Sequence, residues 1–356
     1  MKDVSDMAAL CLPFTAGAAA GAALAGAAVG FAAGAVLAAA AGLLAFVSVR
    51  RRSGLLPYCA LFFILGFFCY LSAVLRPAAG PGPVGRYAAS ALAGLRRLIA
   101  SIGFAHDSTG SLIAALLTGD RSGLTAEQTA AFRGSGASHI LALSGLHLGV
   151  IYLIVSKILS VFGNSIPARR IRSILTILLA GAFTLATGAG PSIVRAFLFI
   201  LIHETCAMLP ERRTSPLRTL MMALTIQVAL KPQVITTLGF QLSYLAMTGI
   251  TVLYPRLAAW YPDGFSLAAR RIWQGAALAV SCQIFTAPLV WVRFHSFPKY
   301  FILTNLLALP MTSALMAASI ATLALQAFGA CPPFLVYAVD LLASSLLFTL
   351  GVISSL

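Results

Sequence analysis

Ser138, His139, Ser144 and His147 fall close together at the start of an apolar run that begins at Ala137. Hydroxyls and imidazoles in hydrocarbon cost free energy unless they face a bundle interior or a wet cavity, so four of them here need a use. Read as one continuous helix, the run puts Ser138, Gly145, Gly149 and Tyr152 on one face and Ser144 and His147, three apart, on another. Three uses are open: structural polar packing, lining of a water-filled path, or a Ser144–His147 nucleophilic dyad. No G-x-S-x-G surrounds Ser144 and no carboxylate is obviously placed to orient His147, which weighs against the dyad.

A second group lies after Gly188-Ala-Gly-Pro-Ser192. Pro191 suits the first turn of a helix, and Arg195 then lies about one turn inside it. A cation near a helix N-terminus is repelled by the helix dipole, so local helix stability does not explain it. It either snorkels to the outer interface or faces an anionic path. His203 and Glu204, toward the other end, read as interfacial or paired groups and not as metal ligands. Gln241, Ser243, Gln283 and Asn305 are embedded in apolar stretches, where interhelical hydrogen bonding is the default use. Pro255, Pro288 and Pro310 hint at broken helices. There is no G-x-x-x-x-G-K-[ST] loop and no dense His/Asp cluster at metal-ligand spacing, so no ATPase, metal or cofactor is expected from the chain and no catalytic residue is assigned.

The elements that position these residues follow from composition. The chain is 60% hydrophobic and 9% charged, far below the ~25% charged residues of soluble domains. It reads as an all-α polytopic membrane protein with about eleven transmembrane helices and a short extracytoplasmic helical segment. The divisions are 1–76 (three opening spans), 77–137 (the extracytoplasmic segment) and 138–356 (the main membrane domain). Met7 to Val49 fits two spans turning near Val29 to Phe31, with small-xxx-small pairs at Gly17/Gly21, Gly26/Gly30 and Gly30/Gly34. Further spans are expected at Tyr58–Leu75, Ser138–Phe162, Ile174–Thr187, Pro191–Leu209, Leu217–Leu230, Leu238–Tyr254, Ile272–Val292, Phe301–Phe328 and Pro333–Ile353.

The Arg76–Ala137 stretch is long enough for two or three surface helices. One of them starts at a Thr125-x-x-Gln128 capping box, stops near Gly134 and Gly136, and is expected to lie on the bilayer. The net charge of +15 is mainly loop Lys/Arg. A cytoplasmic N-terminus puts Arg50–Arg52, Arg169/Arg170/Arg172, Arg212/Arg213/Arg218 and Arg256/Arg270/Arg271 inside, which satisfies the positive-inside rule at every short loop. The six cysteines are scattered, without a C-x-x-C pair, and read as small apolar residues.

Four segments together resemble the ComEC-type competence proteins, inner-membrane channels for DNA taken up in natural transformation. They are Ala115–Val150 (with S-H-x-L-A-x-S-G-L-H at Ser138–His147), Thr187–Phe197 (P-S-x-x-R-A), Pro232–Thr251 (G-F-Q-L-S) and Leu278–Pro310 (N-L-L-A-L-P). The resemblance covers about Ala115 to Phe328, and the opening spans fit it. Two departures stand out. The 76–137 stretch is too short for the OB-like extracellular domain usual in the family. The chain also stops at Leu356 without the metallo-β-lactamase-like domain to which a nuclease role is assigned. A channel is therefore expected to carry over and a nuclease is not.

The resemblance implies a bacterial inner-membrane location and single-stranded DNA as cargo. It also implies a separate DNA receptor on the outer side and a cytoplasmic helicase-like motor or DNA-binding protein supplied in trans. Membrane lipid and a second copy of the chain are further partner candidates. On this reading Arg121 and Arg133 are outer phosphate contacts. Ser138, His139, Ser144, His147, Arg195, Gln241, Ser243 and Asn305 are candidates for the DNA path. Two rivals remain: a secondary transporter of a small anionic solute using Arg195, and an intramembrane hydrolase using Ser144 and His147.

Overall fold

The computed structural model describes residues 2–25, 56–75, 83–163, 165–209, 215–261, 266–295 and 297–356. The expected second span, the Gly26/Gly30/Gly34 pairs and the Arg50–Arg52 and Arg212/Arg213 clusters lie outside the described residues. Every regular element described is helical. In chain order they are α1 (Lys2–Ala25), α2 (Leu56–Leu75), α3 (Pro83–Ala100), α4 (Asp107–Thr118), α5 (Ala126–Gly134), α6 (Ser138–Leu141), α7 (Gly145–Leu159), α8 (Ile166–Ala186), α9 (Pro191–Met208), α10 (Pro216–Leu230), α11 (Leu238–Val252), α12 (Tyr254–Ala259), α13 (Leu267–Phe294), α14 (Phe301–Ala327) and α15 (Pro333–Ser355). Short 3₁₀ turns follow α7 and α10.

Six described helices are long and apolar enough to cross a bilayer: Met7–Leu24, Gly145–Phe162, Pro191–Met208, Leu267–Phe294, Phe301–Ala327 and Pro333–Ser355. Two shorter apolar helices, Tyr58–Val74 and Pro216–Leu230, join them. The expected count of about eleven is thus not reached on length and apolarity. The stretch expected as a 14-residue span from Ile174 is part of the 21-residue α8, whose first turns carry Arg169, Arg170 and Arg172.

Helices inside a bilayer gain little from hiding apolar surface, so close approach and polar contacts hold them together. At Gly17 of α1 a Cβ would overlap the Phe63 carbonyl of α2, and at Gly249 of α11 one would overlap the Ser281 carbonyl of α13. α1 and α2 form a tight pair that leans on α10. α7, α8 and α9 share a core around Leu148, Ala180 and Ile193.

The largest core corrects the expectation of surface helices before Ala137. Leu112, Ile113, Ala115, Leu116 and Leu117 of α4 are almost wholly buried against Leu315, Met316, Leu346 and Leu350 of α14 and α15. α4 is therefore packed into the helical bundle, not laid on its outside. The capping box at Thr125 and Gln128 is present with both bonds (3.0 and 3.1 Å), and α5 ends at Gly134 as expected. The chain then turns at Gly136 (φ 80°), packed against Pro298.

Candidate functional site

The run from Ser138 does not form one helix. α6 stops at Leu141, Ala142 and Ser144 are extended, and a new helix starts at Gly145. Ser138 therefore does not share a helix face with Gly145 and Tyr152. The break is made by Ser144 and His147. Oγ of Ser144 accepts from Leu146 N (3.2 Å), and the Ser144 amide donates to Nδ1 of His147 (3.2 Å). The Ser144 hydroxyl is also 3.0 Å from that nitrogen. This is a capping box with histidine in the place usually held by Glu or Gln.

His147 is fully buried, Nε2 makes no hydrogen bond, and no carboxylate among the described residues contacts it. The arrangement closes a helix start, and it lacks the group that would orient a catalytic imidazole. Arg121, expected as an outer phosphate contact, is exposed and donates Nε to the Leu141 carbonyl freed where α6 ends (3.1 Å). Ser138, His139 and Arg133 are exposed, with Nδ1 of His139 3.2 Å from the Gly136 carbonyl.

Arg195 is where the motif segments meet. It lies on α9 after a turn in which Gly188 and Ala189 both take positive φ (81° and 49°), with Pro191 opening the helix as expected. The side chain is buried. It does not snorkel to an interface. Nη1 donates to the Ser243 carbonyl of α11, within the G-F-Q-L-S segment. Nη2 lies against Gly145, the first residue of α7 in the S-G-L-H segment, where a Cβ would come within 2.8 Å of it. Tyr244 of α11 and Cys282 of α13 lie within electrostatic range. All four segments singled out in the sequence therefore converge on one guanidinium.

No carboxylate among the described residues pairs with it. A buried cation beside the positive end of a helix, without a counter-ion, forms a strongly electropositive spot inside an apolar bundle. An anionic group is what such a spot attracts, and a guanidinium suits phosphate oxygens.

Polar contacts around the spot fix the helices. Gln227 of α10 donates to the Pro191 carbonyl (2.9 Å) and accepts from the Tyr244 hydroxyl (2.9 Å). Gln241 turns back to the Ile235 carbonyl (2.9 Å) and so holds its own turn. Asn305 and Gln283 each keep a buried side-chain atom without a partner. Toward the other end of α9, Glu204 accepts from the Tyr152 hydroxyl of α7 (2.7 Å) and the Ser173 hydroxyl of α8 (2.6 Å). It is paired, and it ties three helices. Those partners, and the Gln227–Tyr244 link, lie too far apart in sequence to be read from spacing.

Residues 116–356 match the competence protein family over well more than half the chain. The chain belongs to that family. The match begins inside α4 and takes in Arg195 and every element touching it. Among relatives, the chain is similar to ComE operon protein 3 of Bacillus subtilis (strain 168), with 27% identity over 204 residues. That alignment covers 57% of this chain and 25% of the relative, so this competence protein spans only a minor part of the relative's length. No solved structure matches it.

Proposed function

We propose that this competence protein forms the membrane path by which single-stranded DNA crosses the bacterial inner membrane during natural transformation. The observation that carries the reading is Arg195: a buried guanidinium without a carboxylate partner among the described residues, at the meeting point of the four family-like segments. A polyanion cannot cross hydrocarbon bare, and a positive spot within a helical bundle lowers that barrier. Asn305 and Gln283, with unpaired buried polar atoms, fit the wall of the same wet path. The proposed threading has a cytoplasmic N-terminus and about eleven spans, counting α8, α11 and the shorter helices as membrane elements.

The proposed role of these helices is conduction. The sequence has no Walker A loop, so the driving force comes from a cytoplasmic motor or DNA-binding partner, and DNA is handed over by a receptor outside. The test is uptake of labelled DNA into the cytoplasm of a strain lacking the gene, with the intact chain restored in parallel. DNA arrested outside the cytoplasm until the gene returns supports the channel; unaffected uptake removes it. The same guanidinium also suits a transporter of a small anionic solute, which saturable solute flux without any DNA requirement would reveal.

A further inference from the structure

Asp340 is the one charged residue of α15, seven residues after Pro333 in an apolar sequence. Its side chain is 6% exposed. Oδ2 accepts from the Ala105 amide at 2.8 Å, in the loop between α3 and α4. Oδ1 is buried and has no hydrogen-bond partner among the described residues. Nδ1 of His106 stands 3.9 Å from it, beyond hydrogen-bond reach, on a side chain that is 63% exposed. Leaving half a carboxylate dry and unpaired forfeits its hydration with nothing in return, so a positive group beside Oδ1 would stabilise the ionised form.

Asp340 also borders a cleft large enough for an ion. A cleft of about 440 Å³ lies under the Ser101–Ala105 loop, and Asp340, Tyr337, Gln326 and Cys331 line it with the loop. Gln326 sits in the last turn of α14, whose carbonyl end carries partial negative charge. Asp340, Tyr337 and Cys331 are the titratable groups on this side. Arg96, His106, Asp107 and Asp120 line a separate cleft across the loop. One formal negative charge among neutral oxygen donors suits a monovalent ion. A divalent ion would remain uncompensated, and no group of three His, Cys, Asp or Glu suited to a metal exists among the described residues.

We propose that Asp340 and this cleft bind a monovalent alkali cation, which completes the carboxylate's partners and fastens the Ser101–Ala105 loop to α15. The site is independent of the DNA-path reading.

The test uses the purified full chain in detergent micelles. The midpoint of thermal unfolding is followed as N-methylglucamine chloride is replaced by NaCl or KCl at constant ionic strength, alongside the ²³Na line width. The expected result is a saturating rise, roughly 4 °C at a hundredfold excess over Kd, with ²³Na broadening. Both are lost in Asp340→Asn, whose amide oxygen still accepts from Ala105. A cation-independent midpoint in the wild type, or a dependence that survives Asp340→Asn, overturns the proposal. Should Asp340→Asn fail to fold, Gln326→Leu decides: the midpoint rise and the ²³Na broadening shrink in that variant if the proposal holds, and an unchanged response overturns it.

Discussion

Gly145 and Arg195 occupy one another's space: a Cβ on Gly145 would lie 2.8 Å from Nη2 of Arg195. The glycine opening α7 is therefore required by a side chain on α9, and the guanidinium position is set from two sides, by Gly145 and by the Ser243 carbonyl. Gly145→Ala should push the guanidinium aside without removing its charge. If the position of that charge matters, DNA uptake falls about tenfold or more, the equivalent of one charge-assisted hydrogen bond at ~1.5 kcal/mol. Uptake at the wild-type level, with normal membrane insertion, would show that the contact is only packing.

Arg195→Ala should reduce uptake at least as much and leave insertion intact. Arg195→Lys should restore only part of it, because a single ammonium cannot reach the Ser243 carbonyl and also present a planar pair of donors to a phosphate. Full activity in the lysine variant would mean that only net charge counts, and full activity in the alanine variant would remove Arg195 from the path.

Ser144 is assigned to a helix start. Ser144→Ala should cost about 1 kcal/mol of stability, seen as a lower unfolding midpoint, with uptake largely retained. A serine-reactive fluorophosphonate should leave the wild type unlabelled. Stoichiometric labelling at Ser144 would revive the hydrolase reading.

Glu204 holds α7 and α8 to α9 through two hydroxyls. Glu204→Gln replaces one acceptor oxygen by a donor, so one hydroxyl loses its partner. A loss of roughly 1.5–3 kcal/mol is expected, measured by unfolding in detergent. Ser173→Ala combined with Glu204→Gln should lose less than the sum of the two single changes.

Asp120, in the loop after α4, pairs with Arg96 (3.3 Å) and takes bonds from the Ser122 hydroxyl (2.6 Å) and amide (3.1 Å). The Ser122 hydroxyl chiefly holds its carboxyl below the ordinary value of 3.8. A depressed folded-state value gives stabilisation that is complete above the unfolded value and lost as pH falls through the folded one. The loop should therefore loosen only in strong acid. In Ser122→Ala the carboxyl titration, followed by ¹³C resonances, should move up toward the ordinary value; no movement would discount the hydroxyl.

Much of the frame was legible because its signals are local. Pro191 opens α9, Thr125 and Gln128 cap α5, and Pro333 opens a long apolar helix, each within a few residues of the feature that encodes it. The break before Gly145 was missed because its apolar pattern runs on through Ala142 and Leu143. The Ser144 cap was hidden, since histidine is an unusual reciprocal partner. The burial of α4 is illegible for a different reason: it is against α14 and α15, some two hundred residues later, and nothing in its own length announces that. The convergence on Arg195 was legible only as four separate strings. Its partners are a backbone carbonyl and a missing Cβ, and neither leaves a mark in residue type.

One helix grips the segment holding α4 and α5 twice. Asp340 of α15 holds Ala105 before α4, and Ser354 lies against Gly134 at the end of α5. The two contacts sit fourteen residues apart along α15, about 21 Å at 1.5 Å per residue. α15 thus behaves as a tie-rod across the segment that opens the family match. An axial slide or tilt of that rod would load both ends of the segment at once, so a mechanical displacement at one face of the bundle would be felt at the other.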